Sequence, residues 1–143
     1  MSPHQVFQLV NTLVLPQWLL MVVAPRWRVT QWLVRYLPIP VILALIYIYY
    51  LFFGGGSLDF QSFNTLAGVK ALFGQDSAVL AGWIHYLAFD LFVGSWVLRD
   101  SLRRNVRHWL VIPCLLLCFM LGPVGFLLYW GIRAAHPESV SVS

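Results

Sequence analysis

At 143 residues, 60% hydrophobic and only 10% charged, with a mean hydropathy of +0.78, the chain lies outside the range of soluble globular proteins. Its net charge of +4 comes from arginines in short connections between apolar runs, with Lys70 the only lysine. That is the pattern of a positive-inside membrane protein and not of a nucleic-acid surface. A soluble enzyme and a nucleic-acid binder are therefore excluded, and the length allows one domain.

The first apolar run, residues 5–24, predicts a membrane helix with Asn11 and Pro16 inside it. Pro16 removes an amide and should kink the helix, while Asn11 either bridges helices or lines a site. No Lys or Arg precedes Arg26, so neither a cleavable signal peptide nor a transit segment is expected. Pro25-Arg26-Trp27-Arg28 leaves the apolar phase, with Trp27 and Trp32 as interface anchors. A second span is expected over residues 38–53, short unless residues 32–37 extend it, and stopped by Gly54-Gly55-Gly56. Tyr47, Tyr49 and Tyr50 read first as an interfacial belt, with pocket lining as the other reading.

Residues 57–77 make the longest connection, in which Phe63, Leu66, Ala67, Leu72 and Phe73 recur near helical spacing. A short amphipathic helix is predicted there, lying on the membrane surface or capping the bundle as a lid. The third span, residues 78–98, is about 31 Å long as a helix and matches a bilayer core. Within it GWIHYLAFDLFVG, residues 82–94, carries His85 and Asp90. Asp90 falls roughly 18 Å from one end and 12 Å from the other. A carboxylate at that depth costs about 2.5–3.5 kcal/mol on insertion scales, so it should face the bundle interior and have a partner. Gly82, Tyr86, Asp90 and Gly94 recur at i, i+4 as one stripe of small and polar residues. His85 lies about 140° around and 7.5 Å along from Asp90, so the two could line opposite walls of one groove but not stack.

RDSLRRNVRH, residues 99–108, is the most basic segment, and residues 109–131 predict a fourth span. Trp109 and Trp130 are then about 32 Å apart, an indole at each interface, and Gly122-Pro123 with Gly125 predicts a kink or a close helix contact. The first connection carries three arginines and the third four. Both are therefore expected on the cytoplasmic side, with both termini on the other. The fold expectation is all-α: a four-helix transmembrane bundle over residues 1–133 with a short amphipathic helix between helices 2 and 3. A polar tail follows over residues 134–143.

Cys114 and Cys118 share a helix face and read as buried free thiols. A bis-histidine haem needs two imidazoles at one depth, and only His85 lies mid-span. His85, Asp90, Cys114 and Cys118 match no standard metal spacing, and no Gly-rich phosphate loop or Gly-x-Ser-x-Gly is present. What remains is proton transfer by Asp90 and His85 on an apolar substrate entering from the bilayer. The structural alternatives are a hydrogen-bonded partner for Asp90 (Asn11, Arg99 or backbone) and an interhelical hydrogen bond for His85. Trp83, Tyr86, Phe89, Phe92 and Trp96, with Phe119 and Phe126 on the last span, supply aromatic surface suited to an elongated unsaturated ligand.

Four segments in order carry a resemblance. N-x-x-V-L-P-x-W from Asn11 to Trp18, followed by Pro25-Arg26-Trp27 and Thr30, is the first, and residues 63–73 are the second. AGWIHYLAFDLFVG at 81–94 is the third and most distinctive, and Pro113-Cys114-Leu115 with FMLGPVGFLLY at 119–129 completes the set. Together they resemble the abscisic-acid-deficient-four-like family over nearly the whole chain except its tail. That family includes a plant plastid protein required for making neoxanthin from violaxanthin, so the resemblance implies a carotenoid-related isomerase. In that reaction an epoxide opens while a neighbouring carbon loses a proton, giving an allene. The change is redox-neutral, so an acid and a base suffice and no cofactor is expected. By resemblance the acid/base pair maps onto Asp90 and His85, with Tyr86 and Asn11 as oxygen-binding groups. Trp18, Trp83, Phe89 and Phe119 are expected to line the substrate. The lack of a transit segment points to a bacterial member in an inner membrane, with a carotenoid, retinoid or other isoprenoid as ligand. The rival is a non-catalytic carotenoid- or lipid-binding subunit that helps assemble another enzyme. A small transporter ranks third, because four spans without an inverted repeat make a thin path unless the chain forms a homo-oligomer.

Overall fold

The computed structural model describes residues 2–53 and 60–137, and among these the chain is helical throughout. Seven α-helices follow in order: α1 (Pro3–Val23), α2 (Arg28–Tyr36), α3 (Pro38–Phe53), α4 (Leu66–Leu72), α5 (Asp76–Arg103), α6 (His108–Leu121) and α7 (Pro123–Ala134). The Gly54-Gly55-Gly56 stop and residues 138–143 of the expected polar tail lie outside the described residues.

Helix α1 starts at a capping box, Ser2 Oγ accepting from Gln5 N–H and Gln5 Oε1 accepting from Ser2 N–H. Helices α1 and α5 are long and apolar enough to cross a membrane, and α2 with α3 makes a third candidate span bent by 40°. The bend falls at Leu37, which is left-handed (φ 54°, ψ 46°) because the residue before Pro38 is kept out of the helical region. Helix α5 is the axis of the molecule, with α1, α2, α3, α6 and α7 all packed on it. Lipid is as apolar as leucine, so helix association here rests on close packing and on hydrogen bonds between helices. Gly94 provides the first: a Cβ there would come within 2.5 Å of the Trp18 indole, so only glycine lets α1 seat that ring. Gln17 provides the second, its buried side-chain amide donating to Ser95 Oγ at 2.8 Å across the α1–α5 contact.

The predicted short helix is present as α4, its Thr65 Oγ1 accepting from Gly68 N–H at 2.9 Å. Phe73, just after it, packs on Gly82 of α5, where a Cβ would come within 2.8 Å of the ring. The segment therefore closes over the N-terminal part of α5, while Phe60 and Leu66 turn outward.

The last third of the chain departs from the expected fourth span. Gly122, with φ +45° and ψ −92°, reverses the chain between α6 and α7. Gly125 then packs so closely on α6 that a Cβ would overlap the Cys114 carbonyl and the Cys118 amide. From there α7 runs beside α5: the rings of Phe126 and Tyr129 lie 5.9 and 5.6 Å from that of Trp96, and Arg133 reaches Asp100. The carbonyl of His136 accepts from Arg104 at 3.0 Å. Residues 108–134 thus form an antiparallel helical hairpin that begins and ends at the arginine-rich end of α5. At roughly 21 Å and 18 Å, neither arm crosses a bilayer core of about 30 Å.

Two further expectations change with the hairpin. Trp109 and Trp130 lie at the same end of the molecule, not one at each interface. The termini also separate: His108 Nε2 bonds the Val22 carbonyl at 2.7 Å, which puts the C-terminal end of α1 at the arginine-rich end. Ser2 therefore lies at the opposite end of the molecule from His136, whereas the expectation had both termini together. Glycine at a positive φ followed by proline at N1 makes the turn, and the contacts of Tyr129 and Arg133 with Asp100 hold it as a reversal.

Candidate functional site

The hairpin tip stops level with Asp90, about 15 Å along α5 from Asp100. Asp90 is half-buried; its Oδ1 lies against Gly122, where a Cβ would come within 2.8 Å, and its buried Oδ2 has no hydrogen-bond partner among the described residues. Tyr86, one turn earlier on the same stripe, faces the carboxyl and donates its hydroxyl to the Met120 carbonyl at 3.1 Å. That carbonyl belongs to the last turn of α6, where the helix no longer supplies a partner. The first turn of α7 starts at the same spot, so α6 and α7 bring the ends of two helix dipoles beside Asp90. Half-helix ends at mid-depth are how membrane proteins create polar sites within the bilayer.

The polar line continues away from the tip. Trp83 stacks on Tyr86 with centroids 5.4 Å apart and planes at 23°, and its indole N–H donates to Asn11 Oδ1 at 2.7 Å. Asn11, Trp83, Tyr86 and Asp90 therefore form one constellation running from α1 across α5 to the hairpin tip. The Asn11 carbonyl is engaged in orienting Trp83, which makes it a positioning group before it is an oxygen-binding one. Trp83 remains exposed because the hairpin ends below it.

Trp18 and Phe119 form a second group beside the first. Their rings meet edge to face at 5.5 Å in a groove of about 590 Å³ between α1 and α6, lined by Leu15, Pro16, Leu116 and other apolar residues. Phe119 is the residue before Met120, and Thr12 of the groove follows Asn11, so the groove lies near the Asp90 constellation, although Asn11, Trp83, Tyr86 and Asp90 are not part of its lining.

His85 and Phe89 form a third, separate group. The His85 ring lies 5.7 Å from that of Tyr47 and 4.7 Å from that of Phe89. His85 lines a cavity of about 320 Å³ with Tyr47, Phe63, Phe73 and Gly82, under the cover made by α4. A common groove for Asp90 and His85 is not formed: α3 packs on one side of α5 and the hairpin on the other, so the helix itself stands between them. Tyr47 lines this cavity instead of a bilayer belt.

Sequence reasoning passed over Asp100, the most heavily paired carboxylate among the described residues. It is 1% exposed and accepts from Tyr129 Oη (2.6 Å), Arg133 Nε (2.9 Å), Arg104 Nε (3.0 Å) and Arg103 Nη2 (3.2 Å). Three guanidiniums and a phenol fill its acceptor positions, so it anchors α7 to α5 and has no capacity left for chemistry. The signal was present as an i, i+4 Asp100–Arg104 pair, an acid alone in a basic segment.

An acid at the tip of a half-depth hairpin, beside an apolar groove, defines a helical membrane-associated protein with a buried polar site. The chain belongs to the ABA4-like (ABA DEFICIENT 4-like) family, which it matches over residues 5–129. It is similar to Protein ABA DEFICIENT 4, chloroplastic, of Arabidopsis thaliana, at 30% identity over 138 residues covering 90% of this chain. The chain spans about 60% of the length of that curated relative. No solved structure matches it.

Proposed function

We propose that the protein is a membrane-embedded isomerase of a carotenoid-like or other isoprenoid lipid, with Asp90 as its proton-transfer group. The observation that carries this reading is the Asp90 carboxyl itself, with one oxygen against Gly122 and the other buried without a hydrogen-bond partner among the described residues, near an apolar groove between α1 and α6. Membership of the ABA4-like family supports a role in carotenoid metabolism. The apolar body of the substrate lies between α1 and α6 against Trp18 and Phe119, and its oxygen reaches Tyr86 and Asp90.

The chemistry closes on one carboxyl. Asp90 in its acid form gives a proton to an epoxide oxygen as the C–O bond breaks. The resulting carboxylate removes a proton from the neighbouring carbon, and that C–H electron pair becomes the new double bond. Asp90 returns to its starting form, and no electrons leave the substrate. With His85 in a separate cavity, a second base is not needed for the balance. The arginine-rich end faces the cytoplasm in this reading.

That separation also favours one rival, a non-catalytic carotenoid- or lipid-binding subunit of a larger assembly. The two part on a simple experiment: purify the protein in mild detergent, record its absorption spectrum, and identify the extracted lipid by mass spectrometry. The variant Asp90→Asn should keep the co-purifying polyene and lose its conversion. Undiminished conversion in that variant would sink the catalytic reading, and binding without conversion in the wild type would establish the rival.

A further inference from the structure

A charged feature separate from the Asp90 site is a cavity of about 570 Å³ where α2 meets the end of α5. Arg28 and Arg35 line it from α2 and Arg99 and Arg103 from α5, with Trp32 and Tyr36 beside them and no acidic residue in the lining. The sequence spacing explains the convergence. Residues 28, 32 and 35 fall on one face of α2, residues 99 and 103 fall on one face of α5, and the two faces oppose each other. The other side of α2 is fixed in the core by buried Thr30 and Val34, so the arginine face is held in place. Arg103 also contacts Asp100, which ties one wall of the cavity to the α5–α7 anchor.

We infer that this cavity binds a phosphate group, and that the source is the headgroup of an anionic phospholipid. Guanidiniums are suited to phosphate because they pair with its oxygens through two N–H donors at once. The level of the cavity selects the source. The apolar run of α5 ends at Leu98, one residue before Arg99, which places the arginines where headgroups begin. Trp32 and Tyr36 are both more than half exposed at that same level, as side chains of the bilayer interface are. A soluble anion would need none of this alignment.

The test uses the whole protein extracted from membranes made of equal phosphatidylcholine and phosphatidylglycerol, with bound lipid counted by mass spectrometry. The wild type should retain phosphatidylglycerol at least threefold over phosphatidylcholine. Arg28→Gln with Arg35→Gln should lose most of that preference. Arg26→Gln with Arg107→Gln, which removes the same charge outside the cavity lining, should keep it. Equal loss in both pairs would reduce the effect to general charge attraction and overturn the site. No enrichment in the wild type would overturn it without reference to any variant, so a misfolded variant cannot protect the idea. A separate arm compares melting temperature with added phosphatidylglycerol and with inorganic phosphate. Equal protection by the two would assign the cavity to a soluble phosphate and overturn the lipid source.

Discussion

Asp90 and Gly122 act as one unit although 32 positions separate them in the chain. The glycine's φ of +45° with ψ −92° is a backbone state closed to ordinary side chains, and a Cβ would also press on the Asp90 carboxyl. Gly122→Ala is therefore expected to destabilise the protein by about 1–3 kcal/mol and to impair whatever Asp90 does, as read by melting temperature and substrate conversion. Asn11→Ala frees the Trp83 indole and should weaken binding in the Asp90 constellation while leaving the fold intact, measured by ligand retention and circular dichroism. Much of this constellation was legible in the sequence. Tyr86 and Asp90, at the centre of the i, i+4 stripe, meet the hairpin tip, while its end glycines, Gly82 and Gly94, take Phe73 and Trp18. Helical geometry also put His85 about 140° away, yet it could not say what would fill that side. The answer depended on α3 and α4, elements brought there by the tertiary fold.

At the scale of elements, the hairpin depends on one close approach and one anchor. Gly125 lets α7 lie directly on the α6 backbone, and Asp100 ties the far end of α7 to α5 through Tyr129 and Arg133. Gly125→Leu should push the arms apart at a cost of about 1–3 kcal/mol from overpacking. Asp100→Ala should lower the melting temperature and expose the bond after Arg133 to trypsin, with limited proteolysis as the measurement. The sequence hid this element because 23 apolar residues serve equally as one full span or as two half-depth arms. Composition is the same in both cases, and Gly122-Pro123 is compatible with either a kink or a reversal. Only contacts distant in sequence, between α7 and Asp100, decide for the reversal. The bend at Leu37, by contrast, could be read directly from Pro38.

For the whole molecule, the all-helical character and the long apolar helices α1 and α5 followed from composition, since a bilayer accepts few other backbones. The sidedness depends on whether residues 108–134 cross once or turn back, because counting arginines assumes that each apolar run crosses once. Single cysteines at Ser2 and at Ala135, introduced with Cys114 and Cys118 replaced by alanine, should react with a membrane-impermeant reagent from opposite faces of sealed vesicles. Labelling of both from one face would restore a fourth crossing and refute the hairpin.

The half-depth hairpin has a consequence for the bilayer around the protein. At the arginine-rich end α1, α2, α5, α6 and α7 stand side by side, whereas α1, α3 and α5 make up most of the opposite half. Each helix occupies a diameter of about 10 Å, so even with α4 across the opposite half the described residues place more helices in one leaflet than in the other. Lipids crowded by the broad end and spread by the narrow end balance best where the membrane already curves. The fold that brings a carboxyl to mid-depth thus also gives the protein a preferred curvature.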